Sequence, residues 1–179
     1  MLIEAGLFLL NAVVGFLTFA LLLRFYMQAF RVSFANQVGA FVVQLTNWLV
    51  KPLRRVLPGV LGLDLASLLP AYLLQVALLV ALLAARGTIV VIPAQQMAMI
   101  VLWGGVIATL RMSIYLLIGA LILQAVLSWV NPYSPLGQPV AQITHPFLRP
   151  IRRVVPPIAN IDLSPLVAIL LAQLILIFL

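Results

Sequence analysis

Residues 144–157 read T-H-P-F-L-R-P-I-R-R-V-V-P-P, a basic, proline-rich stretch in a chain that is otherwise very apolar. A similar stretch lies 98 residues earlier, where residues 46–59 read T-N-W-L-V-K-P-L-R-R-V-L-P-G. The two stretches align without a gap, and the same spacing continues into the apolar run after each of them. The aligned pairs are Thr46 with Thr144, Lys51 with Arg149, Pro52 with Pro150, Arg54 with Arg152, Arg55 with Arg153, Asp64 with Asp162 and Gln75 with Gln173.

A constant spacing that holds across both a basic loop and an apolar run indicates an internal repeat. Each copy contains an apolar helix, an amphipathic basic stretch and a second apolar helix. The predicted fold is therefore an all-α integral membrane protein. We expect two tandem repeats, each a spanning helix, an amphipathic interfacial basic loop and another spanning helix.

The composition supports a membrane protein. Of the 179 residues, 65% are hydrophobic and 7% are charged, whereas about 25% of the residues of a soluble domain are charged. The ten Lys and Arg residues against three acids give a net charge of +7. In a membrane protein such an excess marks cytoplasmic loops that face anionic lipid. No basic helix with interleaved aromatic residues stands apart from the apolar runs, so nucleic-acid binding is not expected.

The predicted domains follow the repeat. Residues 1–87 form the first repeat and residues 112–179 the second, and residues 88–111 connect them. The connecting segment is predicted to be interfacial, re-entrant or an extension of the third span. The four spans are predicted at about residues 2–23, 65–85, 112–130 and 163–179.

Residues 97–130 form a nearly continuous apolar run. As one helix this run would be about 50 Å long, well beyond a hydrocarbon core of about 30 Å. Gly104, Gly105 and Arg111 are therefore predicted to divide it. The alternative is that the connecting segment crosses the bilayer as a fifth helix, which would invert the second repeat.

The distribution of positive charge favours four spans. That topology places eight of the ten cations on one side, as expected for cytoplasmic loops, and both termini on the other side. The eight are Arg24, Arg31, Lys51, Arg54, Arg55, Arg149, Arg152 and Arg153, and the other two are Arg86 and Arg111.

Prolines are predicted to end the amphipathic helices, because the residue before a proline is disfavoured in the α conformation. In the first repeat, residues 33–50 form an interfacial helix that ends before Pro52, and residues 53–58 form about one further turn. In the second repeat, the helix covers residues 136–145 and ends at Pro146.

The chain lacks the residues of a recognisable catalytic or metal site. It has no cysteine, three acids and one histidine, His145, which aligns with Asn47. A metal site needs three or four convergent ligands, and no nucleophile triad, phosphate loop or carboxylate pair is present. We therefore expect no enzyme activity, no cofactor and no metal, and we interpret His145 as a polar contact.

The arginines and aspartates recur at one spacing. Arg54 and Asp64 lie ten residues apart, as do Arg152 and Asp162. Each loop is predicted to fold back so that the aspartate caps the next helix and pairs with the arginine. Two interpretations remain open: the arginines form a pocket for an anionic headgroup or an acidic partner loop, or they only mark the cytoplasmic side.

Gln75 and Gln173 lie within apolar helices at equivalent positions. One interpretation is an interhelical hydrogen bond worth about 0.6 kcal/mol. The other is a polar midplane site at the repeat interface, as in small transporters.

These features together resemble the bacterial YggT/YlmG membrane proteins and their plastid relatives. The resemblance covers essentially the whole chain and is most specific in the duplicated K-P-L-R-R-V-L-P and R-P-I-R-R-V-V-P motifs. The first repeat departs from the family pattern, with Phe34-Ala35-Asn36 where Asn-Pro is common and Asn47-Trp48 in place of His-Pro. The matching positions are Pro52, Arg54, Arg55, Pro58 and Asp64, and then Asn131, Pro132, His145, Pro146, Arg149, Pro150, Arg152, Arg153, Pro156 and Asp162.

The resemblance implies a multi-pass protein of the bacterial inner (plasma) membrane without an established enzyme activity. The family is linked with osmotic-stress tolerance, cation uptake, cell-division loci, and cofactor assembly or nucleoid distribution in plastids. Our leading hypothesis is a non-catalytic scaffold or assembly factor whose cytoplasmic loops bind anionic lipid or a partner protein. The predicted binding residues are Lys51, Arg54, Arg55, Arg149, Arg152 and Arg153. The alternative is a small oligomeric channel or transporter in osmotic or cation homeostasis.

Overall fold

The computed structural model describes residues 1–57, 63–87, 93–131, 134–155 and 162–179. These residues form six helices, and the predicted all-α class is confirmed. We call α1 to α3 the first half and α4 to α6 the second half. The helices are α1 (Leu2–Ala29), α2 (Gln37–Val56), α3 (Leu65–Ala85), α4 (Ala94–Val130), α5 (Gly137–Val154) and α6 (Ser164–Phe178).

Three of these helices are long and apolar enough to cross a membrane: α1 with 28 residues, α3 with 21 and α4 with 37. The last helix, α6, is apolar but has only 15 residues, fewer than the roughly 20 that a typical span contains. The helices α2 and α5 are amphipathic instead and carry the basic motifs.

The predicted division of the apolar run at Gly104, Gly105 and Arg111 is wrong, because α4 continues without a break from Ala94 to Val130. The connecting segment was predicted to be interfacial, re-entrant or an extension of the third span. From Ala94 onward it is an extension of that helix. A separate fifth helix would need a reversal of the chain that α4 does not contain.

The two glycines have a packing role, which explains why they do not end α4. A Cβ at Gly104 would lie 2.6 Å from Leu79 Cδ2, and one at Gly105 would overlap Val76. The Tyr72 hydroxyl donates to the Leu102 carbonyl oxygen at 3.1 Å. The small residues therefore let α3 and α4 approach closely, as in many membrane helix pairs.

The predicted helix ends at Pro52 and Pro146 are also wrong. Pro52 lies inside α2, and Pro146 and Pro150 lie inside α5. All three prolines are exposed, so the carbonyls that they leave unpaired are open to water or headgroups. The turns after them pack into the core through Leu53, Leu148 and Ile151, which favours continuing each helix.

Equivalent apolar clusters hold each half together. In the first half, Leu21 of α1 packs with Val50 of α2 and Ala71 of α3. In the second half, Leu121 of α4 packs with Leu148 of α5, and Ala168 of α6 joins them. Each amphipathic helix thus packs against both apolar helices of its own half.

A third cluster joins the halves at the end where the basic helices lie. Met27 and Val32, on either side of the α1–α2 turn, pack against Ile143 of α5. The rings of Phe30 and Phe147 meet edge to face at 5.9 Å between centroids. Because α5 packs on the α1–α2 junction, both amphipathic helices lie at the same end of the bundle.

Candidate functional site

The ion pair of Arg54 and Asp64 is the centre of the basic end in the first half. Arg54 Nη2 donates to Asp64 Oδ2 at 2.6 Å and Nε donates to Oδ1 at 3.3 Å. Two neighbours complete the site, since Ser67 Oγ donates to Asp64 Oδ2 at 2.6 Å and Arg54 Nη2 donates to Gln28 Oε1 at 2.9 Å. The carboxylate is 4% exposed and the arginine side chain 44%. The pair therefore ties the C-terminal end of α2 to the first turn of α3.

A second arginine, Arg24, lies buried beside this pair, with 3% of its surface exposed. Its Nη1 donates to Thr46 Oγ1 at 2.8 Å and its Nη2 to Asn47 Oδ1 at 3.2 Å, while Nε has no partner among the described residues. From the sequence, Arg24 was predicted only to be one of the cations on the cytoplasmic side. The one available signal was a cation within the apolar run of α1, which does not by itself tell a buried side chain from one that reaches the headgroups.

The second half repeats the ion pair in a more open form. Arg152 donates to Asp162 Oδ2 from Nε at 3.0 Å and from Nη2 at 2.8 Å. The side chains are 43% and 38% exposed. Asp162 Oδ1 accepts the backbone N–H of Ser164 at 2.9 Å, at the start of α6. The predicted arginine–aspartate pairing is confirmed in both halves.

The predicted bond from an aspartate to the start of the next helix is found in the second half and not in the first. Asp162 binds the first backbone N–H of α6. Asp64 occupies the N-cap position of α3 but makes no side-chain bond to its backbone, and binds the Ser67 hydroxyl instead.

The pKa values of both aspartates are lowered. Burial by itself would raise the pKa of Asp64, but hydrogen bonds from Arg54 and Ser67 and the charges of Arg54 and Arg24 outweigh it. Burial would likewise raise the pKa of Asp162, and the bonds from Ser164 and Arg152 reverse the direction. Both carboxylates are therefore ionised at neutral pH.

We expect the stability of the protein to fall in acid. A carboxylate with a lowered folded-state pKa stabilises the fold above its usual pKa, here 3.8, and this contribution is lost as the pH falls through the lower folded value. Thermal unfolding in detergent, followed from neutral pH to about pH 3, should show the decline. The variant Asp64→Asn should show a smaller pH dependence than the native protein, and an equal dependence in both would contradict this assignment.

Thr46 of α2 and Thr144 of α5, which are aligned in the sequence, make similar bonds. Thr46 Oγ1 donates to the Val42 carbonyl oxygen and accepts from Arg24. Thr144 donates to the Val140 carbonyl oxygen and to the side chain of Gln124. Gln124 thus takes the place of Arg24, which puts α1 and α4 in register at a spacing of 100 rather than 98.

Four of the six predicted binding cations are exposed and form no ion pair within the described part of the chain. They are Lys51 and Arg55 on α2, and Arg149 and Arg153 on α5. In each helix the two lie four residues apart, so they share a face. Arg54 and Arg152, by contrast, are held by aspartates.

The other predicted loop residues are scattered. His145 is exposed on α5, and Asn131 forms the C-cap of α4, where its carbonyl oxygen accepts from Ser134 N at 3.1 Å. Pro58, Pro132 and Pro156 lie outside the described residues. No group of three or more potential metal ligands occurs in the part of the chain that the structure describes.

The two glutamines have different environments. Gln75 is buried and its Nε2 donates to Thr18 Oγ1 at 3.0 Å, which joins α1 to α3. Gln173 is exposed on α6, and at the spacing of 100 the counterpart of Thr18 is Ile118, which has no hydroxyl. The interhelical interpretation therefore fits Gln75, and the structure does not bring the two glutamines into one enclosed site.

The fold and composition define a helical membrane protein with paired basic helices at one end. The sequence profile of the CCB3/YggT family matches residues 3–85 and 103–179, and the chain belongs to this family.

Two relatives show the extent of the similarity. The chain is 36% identical to the uncharacterized protein YggT of Escherichia coli over 166 residues, which cover 92% of this chain and 83% of the relative. It is also 36% identical to an uncharacterized protein of Pseudomonas aeruginosa over 173 residues, or 96% and 86% of the two chains. No solved structure matches the chain.

Proposed function

We propose that this protein is a non-catalytic scaffold or assembly factor of the bacterial inner membrane, with four spans. Its helices α2 and α5 lie on the cytoplasmic face and bind anionic lipid headgroups. An acidic segment of a membrane partner would offer the same chemistry. The observation that carries the proposal is the presence of two exposed basic pairs at one end of the bundle, one on α2 and one on α5.

The arrangement of the ends supports this topology. The α1–α2 junction and α5 are in contact through Met27 and Ile143, so the two basic motifs share one end. Arg86 follows α3 at the other end. An excess of positive charge at one end is typical of the cytoplasmic side of a membrane protein.

The ion pairs support a division of roles among the arginines. Arg54 and Arg152 each bind an aspartate of the next helix, so they support the loops. Lys51 and Arg55, the outward pair of α2, have no ion pair in the described part of the chain and are exposed, as are Arg149 and Arg153, the outward pair of α5. We therefore assign ligand binding to the outward pairs rather than to all six cations.

Exposed aromatic residues beside the basic pair favour a lipid ligand. Trp48, three residues before Lys51, is 65% exposed, and Phe41 on the same helix is 56% exposed. Tryptophan concentrates at the headgroup level of membranes, and an amphipathic helix with basic and aromatic residues lies in that interface. The cations of α2 would then be at the depth of lipid phosphates.

Fluorescence quenching can test this assignment. We expect Trp48, kept as the sole tryptophan by changing Trp103 and Trp129 to Phe, to be quenched preferentially by brominated phosphatidylglycerol over brominated phosphatidylcholine in mixed bilayers. Lys51→Gln with Arg55→Gln should reduce this preference. Each cation near an anionic surface contributes about 1 kcal/mol of binding free energy, which corresponds to about a fivefold change in local affinity for anionic lipid.

The matched control is Arg86→Gln with Arg111→Gln, which removes the same charge outside α2. This control should keep the preference of the native protein. An unchanged preference in the α2 variant, or an equal loss in the control, would contradict lipid binding by the outward pair. Photo-crosslinks from α2 to a partner that disappear in the α2 variant, without any lipid preference, would favour the acidic partner.

The channel or transporter alternative was motivated by the repeat and by Gln75 and Gln173, which were to line a shared site. Gln75 is instead bonded to Thr18 inside the first half, and Gln173 is exposed. We do not propose this second function, because Gln75 and Gln173 do not line one site in the structure.

A further inference from the structure

The two halves are joined by a contact between different surfaces. From the first half, α3 presents Tyr72, Val76 and Leu79. From the second half, α4 receives them on its N-terminal part, around Gly104 and Gly105. The contact is therefore head to tail: the outer face of the third helix in one half packs on the first helix of the next half.

Each of these surfaces has a counterpart in the other half. At the spacing of 98 that relates α3 to α6, the residues equivalent to Tyr72, Val76 and Leu79 are Leu170, Leu174 and Ile177. At the spacing of 100 that relates α1 to α4, the counterpart of Gly105 is Ala5, another small residue, and Gly6 follows it. The chain thus carries a second copy of the apolar side of the contact on α6, and α1 presents the small residues Ala5 and Gly6 at the corresponding place.

Both counterpart surfaces are open. Leu170 is 57% exposed, Leu174 51% and Ile177 78%. Ala5 and Gly6 are exposed on α1, and a Cβ added at Gly6 would meet nothing within 4 Å. Within the described part of one chain, α1 packs mainly on α2, α3 and α4, and α6 mainly on α4 and α5. The two open surfaces are thus not used against each other.

The contact between α1 and α4, which also joins the halves, has a counterpart as well. Leu22 of α1 packs with Leu116 of α4, and Tyr26 faces the same part of α4. Their counterparts on α4 are Ile122 and Val126, which are 49% and 45% exposed. On α4 and α6, the second half therefore presents a copy of the α1 and α3 surface with which the first half packs on α4.

We propose that a second copy of this chain fills that surface. In the assembly, α6 and the outer face of α4 of one copy pack on the N-terminal part of α1 of the next, as α3 and α1 pack on α4 within one chain. Small residues at Ala5 and Gly6 allow the close approach that drives association of membrane helices. The contact differs at two positions, because Glu4 and Ala5 stand where Gly104 and Gly105 allow α3 to approach, and we therefore expect α6 to lie farther from α1 of the next copy than α3 lies from α4.

The membrane permits this assembly. The two halves present their basic helices at one end, so the operation that relates them keeps the orientation to the bilayer. A copy added by the same operation is oriented in the same way. Such a heterologous contact generates a ring if the rotation closes and a filament if it does not.

Disulfide cross-linking in native membranes tests the assembly, since the chain has no cysteine of its own. Two differently tagged chains are co-expressed, one carrying Leu174→Cys and the other Ala5→Cys. We expect oxidation to produce a band with both tags at the mass of two chains. Each single variant alone should produce no such dimer, because the contact joins different surfaces. The double variant Val76→Cys with Gly105→Cys should link within one chain and shows that the chemistry works.

The matched control is Leu171→Cys, co-expressed with Ala5→Cys. Leu171 is 49% exposed on the same helix, but its counterpart Leu73 stays 51% exposed despite the packing of α3 on α4. This pair of cysteines should produce no band that carries both tags. Equal bands for Leu171→Cys and Leu174→Cys, dimers of Ala5→Cys with itself only, or no intermolecular band while the internal control links would each overturn the proposal.

Discussion

Replacement of Asp64 by alanine is expected to destabilise the protein by about 3 kcal/mol, because it removes a buried carboxylate and leaves the buried charge of Arg24 without its acidic neighbour. Asp64 is the carboxylate bonded to Arg54, and the buried Arg24 is close enough for its charge to act on it. The variant would leave both guanidinium groups without their acidic neighbour. Equilibrium unfolding in mixed micelles measures the loss.

The second half provides the control for this experiment. Asp162→Ala removes an equivalent pair whose two side chains are 43% and 38% exposed. Solvent screens such a pair, and we expect a loss of about 0.5 kcal/mol. A similar loss from both variants would show that burial and the additional charge of Arg24 do not distinguish the two sites.

Gly105→Val is expected to destabilise the protein by about 2 kcal/mol, because an added side chain in a filled interface forces its neighbours out of place. The Cβ would overlap Val76 and lie 3.0 Å from the Tyr72 ring. The measurement is again equilibrium unfolding, and accessibility of a cysteine introduced at Leu79 would report directly on opening between α3 and α4.

Gly119→Val is the matched control on the same helix. Gly119 has no atom within 4 Å of an added Cβ, so the change in backbone preference is the same and no side chain is displaced. If both variants lose stability equally, the cost arises from the helix itself and the close packing of α3 on α4 has no special role.

The two ion pairs were predictable because charge is rare in this chain. With three acids in 179 residues, the spacing of ten between arginine and aspartate was conspicuous in both halves. A carboxylate at the start of an apolar helix has few ways to be stabilised, and the basic motif before it supplies one. The pairs formed as this argument requires.

The helix boundaries were less predictable, since local rules and packing compete. Proline disfavours continuation of a helix, but Leu148 and Ile151 bury apolar surface beyond Pro146, and the exposed position of the proline lowers the cost. From the sequence, Gly104 and Gly105 were predicted to interrupt the helix. In a membrane bundle, glycine instead allows two helices to approach, and the identity of the partner helix is absent from local sequence.

The position of Arg24 shows a further limit. Its location near the end of an apolar run also fits a side chain that extends to the headgroups. The structure turns it inward to Thr46 and Asn47. Only the packing of α2 along α1 decides between the two orientations, because both leave the sequence pattern unchanged.

The bonds around Asp64 also bear on the biogenesis of the protein. All of their members lie between Arg24 and Ser67, so every group is present once the chain has been synthesised through the first turn of α3. Contacts between residues so near in sequence have a small entropy of closure and form early. The first three helices can thus pack together during translation, before α4 has emerged from the ribosome. The surface of α3 that contacts α4 would then be formed before the second half assembles on it.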